Sequence, residues 1–190
     1  MRWHIGLMTG TVLDGNIDVA LLRTDGQIIE EFGYYDLMPY DEEVKDLLIK
    51  AIDEARIWNF NGPEPELFSK TEAALTNSQI VAVQKCIKLS GLDKNKIRAV
   101  GFHGQTVLHQ PPSKSSKGKT RQLGDGQKMA NKLGIPVVYD FRTKDIKEGG
   151  QGAPLCPIYH SALLKKIGAA PTTAILNLGG LGNLSCYSEK

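Results

Sequence analysis

The sequence predicts an α/β fold, because strand-like and helix-like patterns alternate along its 190 residues. Short apolar runs separated by turn signals fill the first 35 residues, and two long helical patterns follow at 41–55 and 66–90. Further apolar runs at 97–102, 135–139 and 173–178 each lead into glycine or polar residues. With 41% hydrophobic residues, the chain can bury one core, or a domain and part of another.

The first three strand patterns predict an antiparallel meander over residues 2–35, with an Asp25-Gly26 turn before the third strand at 27–35. Asp41, Glu42 and Glu43 mark the start of the first helix, and Gly91 ends the second. Helical spacing predicts core positions in the second helix at Leu67, Ala74, Leu75, Val81 and Leu89.

The remaining elements continue the alternation. A mostly apolar run at 97–102 predicts a central strand. Strands at 107–110 and 120–123 follow it and flank a solvated basic loop at 113–119. A short helix at 127–133 leads to a second buried strand at 135–139. A helix at 155–167 and a strand pair at 173–178 and 184–187 complete the prediction.

Charge and cysteine content restrict the class of protein. The formal net charge of +2 is too small to indicate nucleic-acid or anionic-membrane binding. Cys86, Cys156 and Cys186 are scattered and lack metal-ligand spacing, which favours a reducing, cytoplasmic setting. The N-terminus does not resemble a signal peptide, and no apolar run approaches the roughly 20 residues of a membrane-spanning helix. A soluble cytoplasmic protein is expected.

A glycine-rich hairpin at 8–18 joins the first two strands. Gly10 and Gly15 would let backbone amides surround an anion, and Thr9 and Thr11 add hydroxyl groups. Asp14 could hold a hydrated Mg²⁺ beside phosphates. An ordinary hairpin turn is the alternative, since Asp-Gly is also a hairpin signal.

Two polar clusters follow later strands. His103, Gly104, Gln105 and Thr106 come at the carboxyl end of the 97–102 strand, where open α/β sheets place ligands. Gly104 permits close backbone approach, and Gln105 and Thr106 offer hydrogen bonds suited to sugar hydroxyls. The alternative for His103 is a core histidine without a ligand.

The second cluster spans residues 140–154. The Arg142 guanidinium suits a carboxylate or phosphate, although an arginine between Asp140 and Asp145 could instead form a salt-bridged structural turn. The glycine cluster at 149–152 offers free amides to a ligand, or is only a loop.

Five motifs in order resemble the anhydro-N-acetylmuramic acid kinase family of the actin/hexokinase/Hsp70-like superfamily. Residues 6–18 are similar to its G-x-M-S-G-T-S-x-D-G-x-D signature, with Thr9 and Val12 replacing serines and one extra residue before Asp18. Residues 101–106 match G-x-H-G-Q-T, and D-F-R-x-x-D, G-G-Q-G-A-P-L and a later histidine follow at 140–160. Residues 177–183 resemble N-I-G-G-F-S-N, with Leu181 and Gly182 replacing Phe-Ser.

The resemblance implies an actin-like ATPase fold, with a ribonuclease-H-like first domain at 1–168 and the opening hairpin of a second domain at 169–190. It implies ATP and Mg²⁺ as cofactors and an anhydro amino sugar as the small-molecule substrate. The implied ATP phosphate contacts are Thr9, Gly10, Thr11, Val12, Leu13, Asp14, Gly15, Asn16, Gly179, Gly180 and Asn183, with Asp14 on the metal through water. The implied substrate contacts are His103, Gly104, Gln105, Thr106, Asp140, Arg142, Gly150, Gln151 and Gly152.

The implied reaction phosphorylates 1,6-anhydro-N-acetylmuramic acid and opens its anhydro ring, giving N-acetylmuramic acid 6-phosphate in cell-wall recycling. The family's base lies in a G-F-D-x-G-P-G-N stretch that is expected beyond Lys190, so the resemblance covers about the first half of the family. Two alternatives stay open, an inactive sugar- or phosphate-binding module and a half-protein completed by a second chain. The 173–187 strand pair also leaves an apolar edge that predicts a homodimer or aggregation.

Overall fold

The computed structural model describes residues 1–9, 13–178 and 182–186. Gly10, Thr11, Val12, Gly179 and Gly180, all predicted to contact phosphates, lie outside this part of the chain.

The described residues form an α/β protein, as predicted, with a mixed central sheet. The strands are β1 Arg2–Met8, β2 Asn16–Thr24, β3 Ile29–Pro39, β4 Ile97–Phe102, β5 Gln105–Gln110, β6 Lys119–Leu123, β7 Val137–Tyr139, β8 Ala174–Asn177 and β9 Asn183–Cys186. The α-helices are α1 Glu42–Trp58, α2 Glu66–Ser90, α3 Gly126–Leu133, α4 Thr143–Lys147 and α5 Pro157–Lys166, and a 3-10 turn spans Lys94–Lys96.

The central sheet has the strand order β3-β2-β1-β4-β7. Its first two pairings, β3 with β2 and β2 with β1, are antiparallel, whereas β1 with β4 and β4 with β7 are parallel. The carboxyl ends of β1, β4 and β7 therefore lie at one edge of the sheet. Strand pairs β5–β6 and β8–β9 form two separate antiparallel sheets.

One face of the central sheet packs against α1 and α2 to form the main core. Leu48, Leu75, Val100 and Phe102 are nearly inaccessible there. The opposite face carries an apolar groove of about 640 Å³, lined by residues of all five strands and by Tyr159 of α5.

Two predictions of core positions are wrong. Val81 and Leu89 of α2 are 61% and 51% exposed, because α2 turns a different stripe inward. That stripe includes the polar side chains of Thr71, Thr76 and Gln79. The Thr76 hydroxyl accepts a 3.0 Å hydrogen bond from the Asp125 amide, so this polar surface is buried against the turn before α3.

The predicted buried strand at 135–139 is also wrong in part. The strand is only Val137–Tyr139, and Val138 and Tyr139 are 54% and 45% exposed, because β7 is the edge of the central sheet. Helix α4 was not predicted, since five largely charged residues carry no helical period. In the part of the chain that the structure describes, no helix is long and apolar enough to cross a lipid bilayer.

Candidate functional site

Three motifs that are far apart in sequence meet at the carboxyl edge of the parallel strands. Leu7 lies opposite Phe102 in the β1–β4 pairing, and Phe102 lies opposite Tyr139 in the β4–β7 pairing. The residues that follow these strands are therefore neighbours in space. Asp140 has φ +54, a left-handed conformation that Asp tolerates better than most residues, and it turns the chain from β7 toward α4.

His103, directly after β4, is buried with 7% exposure and is hydrogen-bonded at both ring nitrogens. Nδ1 lies 2.7 Å from the Gly104 carbonyl oxygen, and Nε2 accepts a 2.9 Å hydrogen bond from Nε of Arg142. Burial lowers the pKa of His103, and the charge of Arg142 lowers it further, against a smaller opposing effect of the Gly104 carbonyl. The ring is therefore neutral at physiological pH.

Arg142 is half-buried immediately before α4, and its hydrogen-bond acceptors are neutral. Besides Nε, its Nη1 donates a 2.6 Å hydrogen bond to the Gly152 carbonyl oxygen. Burial lowers the pKa of Arg142. Among the described residues no carboxylate forms an ion pair with it, so the salt-bridged turn considered from the sequence does not form.

The two aspartates that flank Arg142 in sequence have other partners. Oδ1 of Asp140 accepts from the Thr143 amide at 3.4 Å, at the start of α4. Oδ2 of Asp145 accepts from the Gly152 amide at 2.7 Å. Gly152 therefore links the two side chains, because its amide donates to Asp145 and its carbonyl oxygen accepts from Arg142.

The glycine loop is shaped by these contacts. A Cβ atom on Gly150 would overlap the Asp145 carboxylate. Gly152 has φ +65 and is buried, and a Cβ there would come within 2.9 Å of Ile146 Cγ1. Gln151, between them, is exposed. Glycine is thus required at both positions for the loop to close on Asp145 and Arg142.

Thr9 and Gln105, predicted to contact phosphate and sugar respectively, are buried and bonded to each other. They are 3% and 2% exposed, and the Thr9 hydroxyl donates to Gln105 Oε1 at 2.7 Å. Thr9 also bonds the Tyr40 hydroxyl, which accepts from Gln79 Nε2 at 3.4 Å. Burial raises the pKa of Tyr40 to about 12. This chain of side chains connects the end of β1 to the start of β5.

Gly104 and Thr106 complete the cluster after β4. Gly104 has φ +68, and a Cβ atom there would overlap the Leu123 carbonyl oxygen of β6. The Thr106 hydroxyl accepts a 3.3 Å hydrogen bond from Gln122 Nε2. Both contacts tie the start of β5 to β6.

The described part of the first hairpin has the backbone of a tight turn. Leu13 and Gly15 have φ +47 and +94, and Oδ1 of Asp14 accepts from the Asn16 amide at 3.0 Å. Partial desolvation raises the pKa of Asp18, and the nearby charge of Asp14 raises it further. Within the described residues no group of three or more potential metal ligands is found.

Lys45 and His109 were not singled out from the sequence. Nζ of Lys45, in α1, would lie 3.7 Å from a Cβ atom built on Gly15. His109 of β5 bonds Thr120 Oγ1 at 3.0 Å and the Gln151 backbone. Burial and then the charge of Arg142 lower the pKa of His109. Only tertiary packing reveals either position, because a register shift between Thr106 and Leu108 in the β5–β6 pairing places His109 opposite Thr120.

The second hairpin is described only at its strands. Asn183 lies opposite Asn177 in the β8–β9 pairing. Ser185 of β9 bonds His160 Nδ1 of α5 at 2.8 Å.

These features define an α/β protein with a polar strand-edge site built around an arginine that has only neutral acceptors. A protein-family model described as "Anhydro-N-acetylmuramic acid kinase" matches residues 2–189. The chain therefore belongs to the anhydro-N-acetylmuramic acid kinase family, which confirms the resemblance drawn from its motifs.

Curated relatives named anhydro-N-acetylmuramic acid kinase support the assignment. The chain is 58% identical over 185 residues to the protein of Brucella anthropi, covering 97% of this chain and 50% of the relative. It is 57% identical over 190 residues to anhydro-N-acetylmuramic acid kinase 2 of Jannaschia sp., covering 100% and 50%. It is 41% identical over 181 residues to the protein of Caulobacter vibrioides, covering 95% and 48%. The chain thus spans about half the length of the curated relatives it matches.

Proposed function

We propose that this chain supplies the first half of a cytoplasmic kinase that phosphorylates 1,6-anhydro-N-acetylmuramic acid with ATP. In the proposed reaction, water adds at C1 and breaks the anhydro C1–O6 bond, while O6 takes the γ-phosphoryl group of ATP. The products are N-acetylmuramic acid 6-phosphate and ADP, and the reaction belongs to cell-wall recycling. The family match supports the reaction class, and the site around Arg142 is the structural observation that carries it.

The proposed fold is that of an actin-like ATPase. Residues 1–168 form a ribonuclease-H-like first domain, and residues 169–190 begin a second domain. Two observations support this division. The central sheet contains three antiparallel strands followed by parallel β4 and β7, and β8–β9 pair in a sheet of their own.

The phosphate side of the proposed site is the first hairpin, residues 9–16, with Gly179, Gly180 and Asn183 of the second hairpin on the opposite side of the nucleotide. Lys45 beside Gly15 adds a cation at the first hairpin. Mg²⁺ is usually held by one or two carboxylates together with substrate phosphates. Asp14, through water, fits that requirement, with Asp18 close enough for their charges to interact. Bound Mg²⁺ supplies neutralisation of phosphate charge.

The sugar side of the proposed site is the edge formed by residues 103–106, Asp140, Arg142 and the 150–152 loop. N-acetylmuramic acid carries a lactyl carboxylate, and the Arg142 guanidinium matches a carboxylate in charge and shape. Phosphoryl transfer depends chiefly on positioning and charge neutralisation. Rigid elements that hold Arg142 and the glycine loop would provide that positioning for the sugar.

A kinase assay tests the proposal. The chain is incubated with ATP, Mg²⁺ and the anhydro sugar, alone and together with the second half of the Brucella anthropi relative, and the 6-phosphate is sought by mass spectrometry. We expect product only in the combination, because the family's base is expected outside residues 1–190. Product from the chain alone, abolished by Asp140→Asn, would place the base in this half. No product from any combination that folds would contradict the kinase proposal.

A binding titration separates the two other candidate functions. Calorimetric binding of the sugar without nucleotide would favour a sugar-binding module, whereas binding of neither ligand until a second chain is added would favour a half-protein. We also propose that the chain self-associates, because Leu176 and Leu184 on the β8–β9 pair are 61% and 65% exposed. Sedimentation velocity of the purified chain would show a dimer.

A further inference from the structure

We propose that His103 is a positioning residue that acts as a neutral hydrogen-bond acceptor, holding Arg142 so that its guanidinium can bind a ligand carboxylate. This inference rests on the proposed sugar site and assigns different roles to two of its residues. Arg142 contacts the ligand, and the buried imidazole of His103 fixes the direction in which Arg142 points.

The two contacts of His103 require the same tautomer. A backbone carbonyl oxygen only accepts hydrogen bonds, so the 2.7 Å contact with Gly104 requires the proton on Nδ1. A guanidinium only donates, so the 2.9 Å contact with Arg142 requires a lone pair on Nε2. A neutral imidazole protonated at Nδ1 meets both requirements. The other neutral tautomer meets neither, and the imidazolium meets only the first, because its Nε2 carries a proton.

Neutral acceptors leave the charge of Arg142 available. Arg121 shows the contrast within the same chain, because it pairs with Glu64 at 2.8 Å and with Glu72 at 3.3 Å. Those carboxylates compensate the Arg121 charge and make it a structural cross-link. Arg142 is instead fixed by an imidazole and a carbonyl oxygen, which orient a guanidinium without neutralising it.

The donors that remain on Arg142 suit a carboxylate. Nε is used by His103, and one hydrogen of Nη1 is used by Gly152. Toward the described residues, Nη2 and one Nη1 hydrogen make no hydrogen bond, so these donors remain for the oxygens of a ligand. Two parallel N–H···O bonds are the geometry by which arginine recognises carboxylates. At the proposed sugar site, the ligand that fits these donors is a sugar that carries a carboxylate.

The arrangement predicts a pH dependence with a definite sign. Protonated His103 would turn an N–H toward the Arg142 Nε–H and repel its charge, so carboxylate binding should weaken as the pH falls below the ordinary histidine range. The other ionisable groups around the pair are Asp140, Asp145 at the glycine loop, His109 of β5 and Cys156 at the start of α5. His109 is the second histidine near Arg142, so the test must separate the two histidines.

Binding of two ligands to the 190-residue chain provides the test. Calorimetry compares 1,6-anhydro-N-acetylmuramic acid with its uncharged lactyl amide. His103→Phe removes the acceptor and should weaken binding of the acid at least tenfold while changing binding of the amide less than twofold. His103→Gln offers an amide oxygen to Arg142 Nε and should restore most of the affinity. His4→Gln, in the groove on the other face of the sheet, is the matched histidine control.

Several results would overturn the inference. Equal weakening of both ligands by His103→Phe would mean that the ring supports the fold or contacts the sugar, and unchanged binding would mean that it has no role. A pH dependence that persists in His103→Gln would belong to His109. Failure of the wild-type chain to bind either ligand would also count against a recognition device in this half.

Nitrogen-15 NMR of the His103 ring tests the tautomer without any ligand or enzyme activity. We expect a pyrrole-type Nδ1 and a pyridine-type Nε2 at neutral pH, and the reverse assignment would overturn the inference. These readouts do not depend on phosphoryl transfer. If the completed kinase is inactive but His103 has this tautomer and the chain prefers the acid over the amide, the proposed function is refuted and the role of His103 stands.

Discussion

Replacing Gly150 with alanine tests whether the glycine loop is held by Asp145. The added Cβ would overlap the Asp145 carboxylate, which must rotate away. Rotation is easy for an exposed side chain, so the cost comes from the lost 2.7 Å bond to the buried Gly152 amide. Hydrogen bonds to charged groups contribute about 1.5–3 kcal/mol to stability. A loss of about 2 kcal/mol would lower Tm by roughly 4–8 °C in a chain of this size.

Urea unfolding followed by circular dichroism gives the free energy of unfolding for each variant. Gly6→Ala is the matched control, because Gly6 lies in β1, has an ordinary φ, and a Cβ there would meet nothing within 4 Å. We expect Gly6→Ala to leave stability unchanged or slightly raised, since alanine restricts the unfolded chain.

A double-mutant cycle identifies the cause of the loss. In an Asp145→Ala background the overlap and the hydrogen bond are both gone, so Gly150→Ala should then behave like Gly6→Ala. An undiminished cost of Gly150→Ala in that background would show that Asp145 is not the cause of the loss. A Gly150→Ala variant as stable as Gly6→Ala would show that there is no loss to explain.

Three further predictions concern the proposed site and its buried network. In an active kinase completed by a second half, Arg142→Lys should raise KM for the sugar at least tenfold and leave KM for ATP unchanged, because an ammonium lacks the bidentate fork. Lys144→Arg on α4 is the control. Equal changes in both KM values would mean that Arg142 has a structural role. Asp14→Ala in the same kinase should depress turnover strongly, and turnover within about twofold of wild type would make the hairpin only structural. Tyr40 has its pKa raised to about 12, so its contribution of about 2–3 kcal/mol should be present below pH 10 and be lost as the pH rises toward 12. Urea unfolding at pH 9 and 11 should show about half of this loss in wild type. An equal loss in Tyr40→Phe would exclude Tyr40 as its cause.

Sequence patterns predicted the elements whose signals are local. Helix α2 runs over Glu66–Ser90 with Gly91 as its left-handed C-cap, and β4 spans Ile97–Phe102, as the apolar run indicates. Helical periodicity did not predict which side of α2 is buried, because that depends on the elements that pack against the helix. Val81 and Leu89 are exposed, because α2 buries polar residues against the sheet and the turn at 124–125.

The candidate site was predictable as a set of motifs but not as a set of contacts. The family signatures identified residues 103–106 and 140–152, whereas the Arg142–His103 bond depends on the parallel pairing of β4 with β7. Sequence proximity suggested that Arg142 pairs with its flanking aspartates. In the structure a neutral ring 39 positions away is its partner instead, because tertiary pairing brings the ends of β4 and β7 together.

NMR mapping of the sugar onto the chain shows whether a sugar carboxylate binds at the carboxyl edge of β1, β4 and β7. Backbone and arginine side-chain spectra of the isotope-labelled chain are recorded while 1,6-anhydro-N-acetylmuramic acid is added up to millimolar concentration. We expect the largest shift changes at Gly104, Arg142 and Gly152, and we expect Arg142→Lys to remove them. Changes confined to the apolar groove around Gly6 and Tyr35, or none at saturating sugar, would contradict a carboxylate-sugar site at this strand edge.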